Sequence, residues 1–156
     1  MLDKVNDDSV PVQITRRGNK GAIVMSIEDY DQLTETLYVL QNKSLSEQIE
    51  QSIKTHEARA DHKASQQTIN EITGNTWQEH ENLRKSNRAL QAKLCKLIKE
   101  MLHDNPAVGT GKPEPLKHQC QGLWSRRFSA GDRVIYRFDD DAVYLFAIGG
   151  HHDQFK

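Results

Sequence analysis

Residues 111–127 read GKPEPLKHQCQGLWSRR, a stretch that sets a single carboxylate, Glu114, between two prolines. Each proline fixes its own φ angle and disfavours the helical region for the residue before it, so Glu114 is expected on rigid, extended backbone. Lys117, Arg126 and Arg127 follow around one tryptophan. The pattern favours a carboxylate presented to an anionic ligand, although a solvated loop carboxylate is the common alternative for such a residue.

Strand patterns follow this loop and predict the fold class. They cover residues 123–128, 133–138 and 142–148, and the aspartates at 139–141 are typical of a hairpin turn between the last two. An amphipathic helix or helical pair is predicted over residues 77–102 from leucines at helical spacing. Helices followed by strands in one small unit predict an α+β fold in which helices pack on an antiparallel sheet.

The beginning of the chain predicts a β-hairpin and a helix. Alternating apolar residues predict strands over residues 10–16 and 22–27, joined by the turn sequence RGNKG. Ser26 is placed to cap a following helix. Helical spacing predicts that the apolar face of this helix carries Tyr30, Leu33, Leu37 and Leu40.

A second helical stretch covers residues 44–60 and carries a narrow stripe of Leu45, Ile49 and Ile53. Such a stripe is too narrow to build a core alone and needs a groove to lie in. Residues 56–67 have almost no apolar content and are expected to form a solvated helix end or linker. A short strand is predicted at residues 68–72.

Composition indicates a soluble protein, because 36% of the 156 residues are hydrophobic and no stretch approaches the roughly 18 apolar residues of a membrane helix. No secretory signal is evident, so the chain is expected in the cytoplasm with Cys95 and Cys120 as free thiols. Residues 1–75 carry 8 Lys or Arg and 12 Asp or Glu, a net charge of −4, and residues 76–156 carry 13 and 10, a net charge of +3. Opposite signs suggest that the halves bind each other or different partners; two ordinarily solvated surfaces are the alternative.

Three motifs, in this order, are shared with a known toxin family. They are GKPEPLK at 111–117, GLWSRR at 122–127 and DRVIYRFDDD at 132–141, and His151 follows them. On these motifs, residues from about 68 to the end of the chain resemble YoeB, a family of RelE-fold toxins. The resemblance implies a RelE-like antiparallel sheet packed with helices over residues 66–156.

The preceding part resembles the YefM, or Phd-type, antitoxins. The resemblance rests on VQITRRGNKGAIVMSIEDYDQL at residues 12–33 and on the continuation ETLYVLQN. Members of the two families are normally separate proteins encoded side by side. The resemblance therefore implies a toxin tethered to its own inhibitor, with an antitoxin segment and linker over residues 1–65.

The toxin resemblance implies a ribosome-associated messenger-RNA endonuclease that needs no metal and no cofactor. RNA carries its own nucleophile, the ribose 2′-OH, so the enzyme must supply a base, an acid and a cation for the phosphate. By the resemblance, Glu114 is the base, His151 the acid and Arg133 the main phosphate clamp. Lys117 and Arg127 add positive charge to the site.

Several of these residues have other interpretations. Arg133 could be an edge-strand charge beside Asp132, and Trp124 is better explained as a core aromatic than as a site residue. His152 is assigned to RNA contact, but it stands where the toxin family has a tyrosine that helps at the active site. A zinc site on His151 and His152 is disfavoured because adjacent strand residues point to opposite faces.

The antitoxin resemblance assigns roles to the first part of the chain. Antitoxins of this type dock their C-terminal part on the toxin, so Leu45, Ile49 and Ile53 are expected to form a cis-inhibitory contact. The acidic residues Glu47, Glu50 and Glu57 would then cover the basic active site, within a segment near residues 44–65. The resemblance also offers operator DNA and a second copy of the chain, in a homodimer, as partners, with the DNA contacts assigned to Arg16, Arg17 and Lys20. Three cations on a hairpin tip are, however, usually just a solvated turn.

Two functions of different classes follow from these expectations. The first is an endoribonuclease inhibited in cis by its antitoxin-like part. The second is a catalytically impaired toxin fold that acts as an antitoxin-like neutraliser or as a DNA-binding autorepressor, and His152 in the place of tyrosine favours it. An inert scaffold is a third interpretation, which no residue pattern supports.

Overall fold

A computed structural model describes residues 2–16, 18, 20–60, 71–72 and 76–150. The elements, in chain order, are α1 Leu2–Asp7, β1 Val12–Arg16, β2 Lys20–Val24, α2 Ile27–Gln41, α3 Lys43–Ala60, β3 Glu71–Ile72, α4 Thr76–Ser86, α5 Arg88–His103, β4 Glu114–Pro115, a 3₁₀ turn His118–Cys120, β5 Trp124–Arg127, β6 Arg133–Phe138 and β7 Val143–Gly149. The predicted α+β class is confirmed, with a two-stranded hairpin ahead of a five-stranded sheet. Within the described ranges, no helix is both long enough and apolar enough to cross a membrane.

The larger sheet has the strand order β3-β7-β6-β5-β4. The pairs β4–β5, β5–β6 and β6–β7 are antiparallel, as predicted. The short β3 departs from the prediction, because it runs parallel to β7. Parallel neighbours require a long connection, and here the chain passes through α4, α5 and strands β4 to β6 before it returns as β7 beside β3.

Two helices begin at residues whose side chains cap them, and the first of these caps was predicted from the sequence. Ser26 accepts a hydrogen bond from the backbone N–H of Asp29 at 3.0 Å and so caps α2. Asn87 accepts from the N–H of Leu90 at 3.1 Å and starts α5. The predicted helix over residues 77–102 is therefore a helical pair, because this cap interrupts it at Asn87.

The sheet is covered on both faces. Helix α5 buries Leu94, Leu97 and Met101 on one face, against Val134 and Tyr136 of β6. Trp124 packs at the border of this core, in agreement with its interpretation as a packing residue. The opposite face is covered by α2 and α3, so the antitoxin-like part of the chain supplies one of the two layers that bury the sheet.

A β-bulge shapes the face that α2 and α3 cover. Ile135 pairs with Ala147 and Tyr136 pairs with Leu145, which leaves Phe146 as the extra residue on β7. Phe146 and its neighbour Ala147 consequently both lie in the core beneath α2 and α3. The stripe of α3 fills this core, since Leu45 and Ile49 are buried and Ile53 packs at its border.

Helix α3 also satisfies the backbone of β7 beyond its short pairing with β3. The Gln48 side chain donates to the Ile148 carbonyl at 3.0 Å and accepts from the Ile148 N–H at 3.0 Å. Ser52 donates to the Phe146 carbonyl at 2.7 Å. The Gln48 amide thus takes the place of a peptide group of a neighbouring strand, which satisfies a strand edge that would otherwise be open.

The predicted apolar face of α2 is wrong for two of its four residues. Tyr30 and Leu37 are 56% and 46% exposed, whereas Leu33 and Leu40 are partly buried. The face of α2 that is most buried carries Glu35, Thr36 and Val39. Helical periodicity shows which residues of α2 can share a face, but it does not show which face packs on the sheet. Here the sheet presents a polar surface, so α2 packs through a polar face and not through its most apolar one.

The core shared by α3 and the sheet generates a prediction about stability. Leu45→Ala should lower the free energy of unfolding by about 2–5 kcal/mol, because it removes a buried side chain from a packed core. Ile27→Ala, at an 81% exposed position on α2, is the control and should change it by less than about 0.5 kcal/mol. Urea unfolding followed by circular dichroism measures both, and equal effects would contradict the shared core.

Candidate active site

The loop before β4 is fixed against β5 by close backbone contact. The Gly111 carbonyl accepts a hydrogen bond from the Arg127 N–H at 2.7 Å. Gly111 has a φ of 83°, and a Cβ there would overlap the Arg127 carbonyl oxygen, so the position requires glycine. This contact sets the register in which Glu114 follows on the edge strand β4.

Strand register brings the predicted site residues to one face of the sheet. Glu114 pairs with Ser125 across β4–β5, and Arg127 pairs with Arg133 across β5–β6. Residues two apart on a strand and residues directly opposite on neighbouring antiparallel strands share a face. Glu114, Ser125, Arg127 and Arg133 therefore form one polar surface, which lies beneath α2.

Arg126 belongs to the other face and not to this surface. Its side chain is fully buried and approaches Glu100 of α5 at 3.5 Å. It also donates to the carbonyl of Val108. The cations grouped around the tryptophan in the sequence are thus separated by strand alternation, and Arg126 anchors the loop after α5 instead of facing α2.

Glu35 of α2 is the centre of the contacts on the polar surface. Its Oε1 accepts hydrogen bonds from Ser125 Oγ at 2.6 Å and from Arg133 Nε at 2.7 Å. Its Oε2 accepts a hydrogen bond from Nη2 of Arg127 at 3.0 Å. Burial by itself would raise the pKa of Glu35, but the Ser125 hydrogen bond and the two guanidinium charges outweigh it and lower that pKa. Glu35 is held as a carboxylate.

Arg133 is enclosed by α2 as well as paired with it. Its guanidinium carbon lies 4.4 Å from the centre of the Tyr38 ring, which is a cation–π contact. Tyr38 also donates through its hydroxyl to the Gly131 carbonyl at 2.6 Å. Only 4% of Arg133 is exposed, so a bulky anion such as an RNA strand cannot reach it while α2 is in place.

Two lysines of the 111–127 stretch are paired with α2. Lys117 Nζ lies 2.7 Å from Asp29 Oδ1, and this hydrogen bond lowers the pKa of Asp29. Lys112 Nζ lies 2.7 Å from Asp31 Oδ2 and 3.4 Å from Glu114 Oε1. The bond to Asp31 raises the pKa of Lys112. Helix α2 thus contacts the basic surface with three carboxylates.

Glu114 lies on extended backbone, as predicted, but it is buried and not presented to solvent. It is 7% exposed, because it sits in the edge strand beneath α2. Burial raises its pKa against the opposing effect of Lys112, and the nearby carboxylates of Asp31 and Glu35 add to the increase. A carboxyl group with a raised pKa binds a proton more readily than an ordinary glutamate does, which suits a general base.

The expectation that acidic residues of α3 cover the site is wrong. Glu47 and Glu50 are exposed and pair with Lys43 and Lys54 of their own helix, at 3.8 Å and 2.8 Å. Glu57 is exposed as well. Helix α3 lies on the apolar core and on β7, and the helix before it covers Glu114 and Arg133. The described segment over the site is therefore within residues 29–38, and α3, residues 43–60, lies elsewhere on the sheet; residues 61–65 of the predicted segment lie outside the described residues.

Five of the predicted site residues lie wholly or in part outside what the structure describes. His151, His152 and Arg17 are outside the described residues, and so are the side chains of Arg16 and Lys20, whose backbones pair at the end of the hairpin. The residue before His151 is held, however, because Asn42 donates to the Gly150 carbonyl at 2.7 Å. The junction between α2 and α3 thus fixes the chain next to the predicted acid.

Ser125 and the three carboxylates of α2 were not predicted from the sequence as residues of this site. A signal for two of them was present, because Asp31 and Glu35 are four residues apart on a predicted helix and so share a face. That face also lies on the acidic half of the chain, opposite in sign to the 111–127 stretch. Ser125 carried no such signal, since a single serine in a strand is uninformative until its register is known.

Comparison with known proteins places both parts of the chain. A family model described as the YoeB-like toxin of a bacterial type II toxin-antitoxin system matches residues 72–152. A model described as antitoxin Phd_YefM, of a type II toxin-antitoxin system, matches residues 1–59.

Individual relatives agree with the two models. Toxin YoeB of Escherichia coli (strain K12) is 34% identical over 77 residues, which cover 49% of this chain and 90% of the relative. Antitoxin YefM of Mycobacterium bovis is 31% identical over 72 residues, covering 46% of this chain and 76% of the relative. A solved heterotetrameric complex of YoeB-YefM toxin-antitoxin from Staphylococcus aureus contains a chain with a TM-score of 0.51 at 22% identity, covering 55% of this chain and 99% of that one. The chain therefore belongs to the YoeB toxin family through its second part and to the Phd/YefM antitoxin family through its first, and it joins the two as a single-chain type II toxin-antitoxin protein.

Proposed function

We propose that residues 66–156 are a ribosome-associated messenger-RNA endoribonuclease and that residues 1–65 hold it inactive in cis. The observation that carries this proposal is the contact of Glu35 with both Arg127 and Arg133, at 3.0 Å and 2.7 Å. Those arginines are the cations that would bind the substrate phosphate. A carboxylate of the antitoxin part lies between them, so the substrate and α2 compete for one surface.

In the open form, in which α2 no longer covers the polar surface, each residue of that surface has its own role in RNA cleavage. Glu114 takes the proton of the ribose 2′-OH, which attacks the adjacent phosphorus atom, and the 5′-oxygen of the next nucleotide leaves with a proton from His151. Arg133, Arg127 and Lys117 stabilise the negative charge that grows on the phosphate oxygens. His152 contacts the RNA beside this centre.

Inhibition has two components with different roles. Helix α3 belongs to the core of the sheet through Leu45 and Ile49, so it stays in place in both states. Helix α2 carries the carboxylates that meet the basic surface and can move about the junction at Asn42 without exposing most of that core. The Staphylococcus aureus complex of YoeB with YefM supports a direct association of the two kinds of domain. Operator DNA, bound through Arg16, Arg17 and Lys20, and a second copy of the chain are further proposed partners in the cytoplasm.

Removing the carboxylates of α2 tests the proposal in the full-length chain. The triple variant Asp29→Asn, Asp31→Asn, Glu35→Gln should arrest growth and translation when expressed, whereas the unaltered chain should not. Removing one partner of a buried ion pair costs about 3–5 kcal/mol, which would raise the population of the open form at least about a hundredfold. Growth curves and the integrity of cellular messenger RNA measure the effect.

Two controls separate this effect from a general change of charge. The variant Glu47→Gln, Glu50→Gln, Glu57→Gln removes three exposed carboxylates from α3 and should be as harmless as the unaltered chain. Adding Glu114→Ala to the α2 variant should restore growth. A folded α2 variant that leaves messenger RNA intact would refute the ribonuclease and favour the alternative of an impaired toxin fold that acts by binding.

The pKa of Glu35 generates a separate prediction about pH. Because the folded protein lowers this pKa, the contribution of Glu35 to stability is fully present above its ordinary value of 4.5 and is lost as the pH falls through the lowered value. The difference in unfolding free energy between the unaltered chain and Glu35→Gln should therefore shrink on acidification below about pH 4.5. Glu114, whose pKa is raised in part by Glu35, loses its contribution as the pH rises above about 4.5, so any change in it acts above the acidic range in which this difference should shrink.

Urea unfolding at a series of pH values measures this difference. Glu47→Gln is the matched control, since an exposed pair contributes less than about 1 kcal/mol at any pH. A difference between the unaltered chain and Glu35→Gln that stays constant down to about pH 3 would contradict the role of the Glu35 carboxylate as a charged partner of the arginines.

A further inference from the structure

We propose that Ser125, Arg127 and Arg133 form a cradle for one phosphodiester group of the substrate and that Glu35 occupies this cradle in the intact chain. The assignment rests on the proposed ribonuclease function and names where the reacting phosphate binds. Its new member is Ser125, a positioning residue whose hydroxyl donates to a non-bridging phosphate oxygen.

The arrangement around Glu35 is that of a built anion site. Three donors from two adjacent strands converge on the two oxygens of one carboxylate, at 2.6 Å from Ser125, 2.7 Å from Arg133 and 3.0 Å from Arg127. Ser125 and Arg133 are 1% and 4% exposed, so neither is an incidental surface group. Charge-assisted bonds of this kind bind carboxylates and phosphates alike, because both present oxygens at similar separations.

The charge balance shows why the cradle attracts an anion when α2 moves away. Two guanidinium groups meet one carboxylate in the cradle, and Arg133 is buried there. Departure of Glu35 leaves both guanidinium charges without the carboxylate that they share. The open form therefore has a site of net positive charge with a hydroxyl donor in place, which suits a phosphodiester better than it suits water.

The position of Ser125 makes the bound phosphate the reacting one. Ser125 pairs directly with Glu114 across β4–β5, and opposite residues of this kind have their Cβ atoms about 4.5–5.5 Å apart. A phosphate held by the Ser125 hydroxyl consequently lies next to the proposed base. Asp29 and Asp31 meet Lys117 and Lys112 at 2.7 Å each, so the other two carboxylates of α2 also pair with cations of the same surface.

Binding of a short, fluorescein-labelled single-stranded RNA tests the cradle separately from catalysis. The full-length background variant is Glu35→Ala with Glu114→Gln, which vacates the cradle and leaves bound RNA uncut. Fluorescence anisotropy should show RNA binding at least about tenfold tighter than for Glu114→Gln alone. Adding Ser125→Ala should weaken binding about tenfold, the effect of one hydrogen bond to a charged group, and Ser125→Thr should restore most of it.

The salt dependence distinguishes a positioning hydroxyl from a structural one. Ser125→Ala removes no charge, so the slope of log affinity against log salt should not change, whereas Arg127→Gln should reduce it by about 0.7. Circular dichroism checks that each variant is folded, and Glu35→Gln replaces Glu35→Ala if the latter is not.

The results separate the cradle from the ribonuclease proposal. The cradle would be overturned if Ser125→Ala left the RNA affinity unchanged, or if it lowered the slope of log affinity against log salt. Either result would count against the cradle even if the opened chain cleaves RNA. Loss of affinity at an unchanged slope would support the cradle even if the chain with Glu114 intact cleaves nothing, in which case only the proposed ribonuclease function fails.

Discussion

The ion pair between Glu35 and Arg133 is the contact on which the arrangement of the two parts depends. It is buried on both sides and joins the antitoxin-like helix α2 to strand β6 of the toxin-like sheet. A buried charge pair is a poor source of net stability, because desolvation of both groups offsets most of their attraction. The ion pair instead determines how α2 is oriented, because it favours the polar face of the helix over the more apolar one. It also fixes α2 over the residues that would bind substrate.

That selectivity explains why the two interfaces of the antitoxin part differ in chemistry. Helix α3 is joined to the sheet by apolar packing, which is indifferent to salt and pH, through Leu45 and Ile49. Helix α2 is joined by carboxylates to lysines and arginines, and these bonds are sensitive to competing anions. One segment is therefore suited to permanent attachment and the adjacent one to displacement by an anionic ligand.

Much of the fold could be predicted from the sequence, since strand and helix patterns give β5, β6 and β7 and the cap at Ser26 starts α2 as expected. The grouping of Glu114 with Arg127 and Arg133 was implied by the resemblance to the toxin family, and the strand register brings the three residues to one face. The bulge at Phe146 and the parallel pairing of β3 with β7 could not be predicted, because both depend on contacts between distant segments. The role of Glu35 was missed for the same reason: a carboxylate counts as a solvated residue until its partner across the interface is known.

The Gln48 amide, which stands in for a missing strand beside β7, has a consequence for how such a chain can be regulated. An antitoxin-like part that also closes the edge of the toxin-like sheet cannot be removed without opening that sheet. Removal of α3 would leave the backbone groups of Ile148 unsatisfied and the apolar face of Phe146 in water. Proteolysis of the whole first part would therefore open this strand edge and expose this apolar face, whereas displacement of α2 alone would leave α3 in place on both.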